Sequence, residues 1–96
     1  MPILDNQKLG YTIIALIYIS VEGGHLQDIK EKLQEFNEVN VIFQTSGIYD
    51  IVLISRFQNM IDFSDFNNKI SKLQYMKSEV NLVLETLKDE WHVAPL

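Results

Sequence analysis

Cysteine is absent from the 96 residues, and that one absence removes a disulfide framework, thiolate metal ligands and cysteine nucleophile chemistry together. Basic residues are few: 8 Lys and Arg stand against 13 Asp and Glu, for a formal charge of -5. Phosphate neutralisation needs clustered Lys and Arg, and here they are scattered, so direct nucleic-acid binding is disfavoured and DNA contact would have to come through a partner. Long hydrophobic runs are also missing. The longest, Ile13 to Val21, is about nine residues and includes Tyr18 and Ser20, well short of the roughly 20 a membrane helix needs. Met1 to Asn6 lacks the positive and apolar regions of a secretory signal, and the expected location is the cytoplasm. No Gly-x-Gly-x-x-Gly, phosphate loop or serine elbow occurs, so nucleotide and acyl-transfer chemistry have no sequence mark and no cofactor is expected.

What is present is an ordinary apolar-rich domain, 47% hydrophobic and 22% charged. A chain of this size buries roughly two-thirds of its unfolded surface, enough for one core and not two. Residues 1–96 therefore read as one domain, with a core over about 8–88 and a tail over 89–96 that Trp91 anchors. Tyr11 to Val21, rich in Ile, Tyr and Val, predicts a long strand, broken at Glu22-Gly23-Gly24. Leu26, Ile29, Leu33 and Phe36 then recur at helical spacing among charged residues, up to Asn37-Glu38. Val39, Val41 and Phe43 alternate with Asn40 and Gln44 as a second strand that stops at Thr45-Ser46-Gly47. Asp50 to Phe57 predicts a third strand. Asn59, three residues before Asp62, is an N-cap for a helix that carries Met60, Phe63, Phe66, Ile70 and Leu73. Gln74 to Lys77 reads as a loop and Ser78 to Lys88 as a fourth strand.

That β-α-β-β-α-β order specifies the α+β ferredoxin-like arrangement: a four-stranded antiparallel sheet with both helices on one face. The strands are apolar on both faces. In the first, Tyr11, Ile13, Ala15, Ile17, Ile19 and Val21 oppose Ile14, Leu16 and Tyr18; in the third, Ile51 and Leu53 oppose Val52 and Ile54; in the fourth, Leu82 and Leu84 oppose Val83. The helix-free face is therefore expected to carry Ile14, Leu16, Val52, Ile54 and Val83, with Ile42 from the second strand. A patch of that kind is not left in water, and it predicts a homodimer packed sheet against sheet.

Few residues offer chemistry. His25 and His92 have no metal-ligand neighbour at a workable spacing and read as a solvated cap-region histidine and a tail histidine. Gly23-Gly24 reads as a strand-to-helix turn in preference to a phosphate cradle. Most carboxylates, among them Asp28, Glu31, Glu35, Asp65 and Glu85, fall on polar faces. Asp50 differs because it closes the segment Thr45-Ser46-Gly47-Ile48-Tyr49-Asp50, where glycine can turn successive N–H groups toward one point. Backbone donors beside one carboxylate suit a zwitterion, the amides taking an α-carboxylate and the aspartate an α-ammonium. The alternative is a hairpin turn whose Ser and Asp bond their own backbone.

Leu9-Gly10-Tyr11 leading into an apolar strand, a helix ending before Val39, then Ser46-Gly47-x-Tyr49-Asp50, a second helix, and a strand through Val83-Leu84 together resemble the effector-binding (RAM) module of the Lrp/AsnC family. The resemblance covers about residues 8–88, and its most specific element is the turn between strands two and three. It implies sheet-to-sheet dimers, assembly into rings such as octamers, and amino-acid effectors bound between dimers near that turn. It assigns Ser46, Gly47, Tyr49 and Asp50 to the effector loop and places Ser78 near the ligand. The chain is similar to the stand-alone form of the module, without the helix-turn-helix domain of the family's usual regulators. Val80 departs from the small polar residue common in the family's fourth strand, so the resemblance does not specify the ligand.

The reading reached is a non-enzymatic amino-acid-sensing and oligomerisation module that modulates Lrp/AsnC-type regulators without touching DNA. Two others compete with it. One is a dimeric α+β barrel monooxygenase, which would need a His, Asn or Trp lining the cavity between sheet and helices, with Asn67-Asn68, Trp91 and His92 as the residues of the right type. The other is a purely structural oligomerisation block.

Overall fold

The computed structural model describes residues 13–90. Its elements run β1 (Ile13–Val21), α1 (Leu26–Gln34), β2 (Val39–Gln44), β3 (Ile51–Phe57), α2 (Met60–Ser71) and β4 (Met76–Leu82). The strands form one antiparallel sheet in the order β2-β3-β1-β4. Both connections that cross between non-adjacent parts of the sheet carry a helix, which is the split β-α-β topology the sequence predicts. Leu9, Gly10, Tyr11, Trp91, His92 and the end of the expected tail lie outside the described residues.

Alternation along β1 decides where the core sits. Ala15, Ile17 and Ile19 are fully buried, whereas Ile14, Leu16 and Tyr18 between them are half-buried. Ile51, Leu53 and Phe57 of β3 share the buried side, and Ile29, Leu33, Phe66 and Ile70 cover it from the two helices. Four phenylalanines pack α2 against the sheet and α1: Phe57 meets Phe63 edge-on at 5.6 Å and Phe66 at a tilt at 5.5 Å, and Phe66 meets Phe36 edge-on at 5.8 Å. The one buried polar side chain among the described residues is Ser55, whose hydroxyl has no partner.

The helix starts follow local chemistry. Asn59 caps α2 as expected, its Oδ1 accepting from the Asp62 N–H at 2.9 Å. His25 occupies the N-cap position of α1 without a side-chain cap, and instead its ring stacks on Tyr75 at 3.7 Å. Tyr75 has φ 69°, an uncommon left-handed backbone for a tyrosine. It is held there by that stack and by the Glu22 N–H, which donates to its carbonyl at 2.8 Å. Gly24, with φ 82°, turns the chain into α1, so the glycine pair serves as the strand-to-helix turn.

Four boundaries and two facings differ from the sequence reading. α1 ends at Gln34, before Asn37-Glu38, and β3 begins at Ile51, one residue after Asp50. β4 begins at Met76, inside the segment read as a loop, because Met76 and Lys77 pair with Val21 and Ser20. It ends at Leu82, well before Lys88; Val83 adds one more bond, its N–H to the Ile14 carbonyl at 2.9 Å, and Leu84 is 97% exposed instead of inward-facing. Ile42 is the wrong residue for the helix-free face. It pairs with Leu53 and packs against the core, while Val41 and Phe43 take the open side opposite Ile54 and Val52. The cause is a bulge: Val39 is opposite Ser55 and Val41 opposite Ile54, so Asn40 is an extra residue, and its Oδ1 accepts from the Arg56 N–H at 3.0 Å.

Candidate functional site

The 45–50 loop leaves β2 and re-enters β3 with its own bonds closed at the base. The Thr45 N–H donates to the Asp50 carbonyl at 2.9 Å, and the Thr45 hydroxyl to the Tyr49 carbonyl at 2.7 Å. Gly47 sits at its tip with φ 107°, a backbone that other residues adopt only with strain. Ser46, Gly47 and Ile48 are exposed, Ile48 at 86%.

Asp50 fastens the loop to β1. Its N–H donates to the Ile19 carbonyl at 2.8 Å, and its Oδ2 accepts from the Val21 N–H at 2.7 Å. The carboxylate thus serves the backbone of a neighbouring strand, a different use from a turn that bonds its own backbone, and it fixes one carboxylate oxygen beside the loop.

Tyr49 fastens the loop a second time. Its ring lies on Tyr18, centroids 5.3 Å apart, and its hydroxyl donates to Glu79 Oε1 at 2.5 Å. The bond spans 30 residues of sequence and carries the loop across β1 to β4. The Glu79 acceptor, with smaller contributions from desolvation and nearby charge, holds the Tyr49 hydroxyl above the usual tyrosine range. Glu79 was missed in the sequence because it reads as one of many carboxylates on a polar face; its position opposite Tyr18 is visible only in the strand register.

Of the expected site residues, the fold gathers Ser46, Gly47, Tyr49 and Asp50 into one loop at the C-terminal end of β1. Ser78 is not on the same side. It pairs with Ile19, on the helix side of β4, while its neighbour Glu79 shares the face of Tyr18 and Tyr49. Two grooves lie elsewhere. One of about 570 Å³ is lined by Glu38, Arg56, Asp62, Asp65 and Lys69 among others, and one of about 430 Å³ runs over the open sheet face between Val41, Phe43, Ile54 and Asp89. In the first, Lys69 and Glu38 are paired at 2.7 Å, and that bond keeps the Glu38 carboxyl below its ordinary value. Asn67 is half-buried and Asn68 exposed, so neither is a core residue between sheet and helices.

The model of the Lrp/AsnC ligand binding domain matches residues 14–92. The chain belongs to that family. Lrp/AsnC relatives among curated proteins include an uncharacterized HTH-type transcriptional regulator of Pyrococcus furiosus, 32% identical over 93 residues, covering 96% of this chain and 62% of the relative. Another is the HTH-type transcriptional regulator Ptr1 of Methanocaldococcus jannaschii, 28% identical over 88 residues, covering 90% of this chain and 60% of the relative. The chain spans about 63% of the length of the first relatives it matches. Among solved structures, a transcriptional regulator of Neisseria meningitidis in complex with L-Met superposes with a TM-score of 0.81 at 19% identity, covering 93% of this chain and 60% of that one. Escherichia coli AsnC gives 0.79 at 22% identity, covering 88% and 58%. At those identities the structural likeness establishes the fold, and the family model establishes membership. No helix among the described residues is long and apolar enough to cross a membrane.

Proposed function

We propose that this Lrp/AsnC ligand-binding domain is a non-enzymatic, cytoplasmic amino-acid sensor that self-associates and acts on transcription regulators of its own family, not on DNA directly. The observation that carries the reading is the family match over 14–92 together with the loop at 45–50, where exposed backbone at a left-handed glycine lies beside the anchored Asp50 carboxylate. Ser46, Gly47, Tyr49 and Asp50 form the ligand-contacting set, with Ser78 at its margin on the other side of β4. The L-Met complex of the Neisseria meningitidis regulator supports an amino acid as the ligand class. The charge of -5 supports action through a protein partner, since a phosphate backbone would repel it.

Self-association rests on the open face. Ile14, Leu16, Val52, Ile54 and Val83 are half-buried there with Val41, and Phe43 is 48% exposed. A second copy laid sheet to sheet covers them, and further assembly into rings would bring loops of neighbouring dimers together.

Calorimetric titration with each of the twenty amino acids tests the sensing half. The expected result is a saturable response to at least one of them, weakened about tenfold by Asp50→Ala through loss of a charged hydrogen-bonding group. No response at millimolar ligand would refute it. The partner half requires that adding the chain to a full-length family regulator change that regulator's mass or its DNA affinity.

A further inference from the structure

We propose that Glu79 is a positioning residue for the 45–50 loop: reached across Tyr18 by the Tyr49 hydroxyl, its carboxylate holds the loop in the shape that receives the effector. The inference rests on the sensing role proposed above and adds to it a residue outside the loop. It starts from how little else holds the loop. Ser46, Gly47 and Ile48 are exposed, and Thr45 bonds only within the loop. Two side chains reach out of it to the sheet, Asp50 to the Val21 N–H and Tyr49 to Glu79. Asp50 secures the point where the chain enters β3. It does not fix the tip, because Gly47 lies between it and Thr45 and glycine has several turn conformations within reach.

Tyr49 supplies the missing constraint. Its ring rests on Tyr18, so the side chain crosses β1 along a packed path, and a charged acceptor waits at the end of that path. β4 places the acceptor by register: Glu79 is opposite Tyr18, whereas Lys77 and Asn81, two residues away on either side of the same face, are opposite Ser20 and Leu16. A shift of one residue in β4 would send Glu79 to the helix side and leave the hydroxyl without it. The raised ionisation of Tyr49 is consistent with a hydroxyl that donates to a carboxylate.

The test separates positioning from general stability. Calorimetric titrations with the twenty amino acids are run on the wild-type chain, Glu79→Ala, Glu79→Gln, Tyr49→Phe and the Tyr49→Phe/Glu79→Ala double variant. For the amino acid that responds, Glu79→Ala and Tyr49→Phe should each weaken binding about tenfold, and the double variant no more than either single, because both cut one bond. Glu79→Gln keeps an acceptor oxygen and should restore affinity to within about threefold of wild type. Melting temperatures of all variants should agree within a few degrees. Wild-type affinity in Glu79→Ala, or losses that multiply in the double variant, would overturn the proposal. If no amino acid binds the wild-type chain, the sensing role fails, and amide exchange over Gly47 to Asp50 then decides this proposal alone: exchange about tenfold faster in Glu79→Ala supports it, and unchanged exchange overturns it.

Discussion

The two faces of the sheet are built from the same strands and nearly the same residue types, yet they do different work. On one, Ala15, Ile17, Ile19, Ile51 and Leu53 are fully buried beneath α1 and α2. On the other, Ile14, Leu16, Val52 and Ile54 are half-buried, with no helix among the described residues packed over them. Composition does not separate the faces, since both are aliphatic. What separates them is helix cover: the two helices among the described residues are both docked on the same face. That uncovered apolar face is the surface on which the proposed self-association rests.

Substitutions that treat the faces alike should show how far they differ. Leu53→Ala, on the covered face, should cost about 2–5 kcal/mol of folding stability at any protein concentration, a large share of what a domain this size has. Denaturant unfolding reads it. Leu16→Asp, on the open face, should cost the single chain less than about 1.5 kcal/mol because Leu16 is only half-buried, while reducing the mass in sedimentation from the self-associated form to one chain. Equal loss of folding stability for both would remove the distinction. Ser55→Ala tests the covered face in the opposite direction: the Ser55 hydroxyl is buried without a partner, so its removal should raise stability by about 1 kcal/mol. The smallest effect is expected away from either face, at the Glu38–Lys69 pair on the surface. Lys69 lowers the Glu38 carboxyl in the folded chain, so the pair's contribution is present above the ordinary glutamate value near 4.3 and lost as pH falls through the lowered one. A surface pair is worth at most about 1 kcal/mol. The melting-temperature gap between wild type and Lys69→Met should therefore be small at pH 6 and close as the pH falls below the ordinary glutamate range.

The element order was legible because periodicity is a direct trace of burial: Leu26, Ile29 and Leu33 can only line one side of a helix, and Ala15, Ile17 and Ile19 one side of a strand. The Asn59 cap was legible because its chemistry is local. β2 was misread in part because a bulge changes the phase of alternation without changing the residues, and Asn40 looks like any polar strand position until its partner Arg56 is known. The first turn of β4 was misread because Met76 and Lys77 have no strand signature of their own and are recruited by Val21 and Ser20. In the loop, Gly47 and Asp50 announced themselves through residue type. Glu79 did not, since its role depends on a contact 30 residues away and a carboxylate on an edge strand is ordinarily solvated.

The bulge at Asn40 makes the edge strand count by parity. Every residue of β2 after position 40 keeps its side of the sheet because the bulge takes Asn40 out of the alternation, so drawing Asn40 into the regular ladder would carry Val41 and Phe43 inward and Ile42 outward without altering any of their side chains. Within this strand, whether the bulge forms is therefore more consequential than most substitutions, whereas deletion of Asn40 itself would leave Val41 opposite Ile54 and Ile42 opposite Leu53. A relative that kept this residue but lost the bulge would present a different edge to whatever lies against its sheet, even with every apolar residue retained.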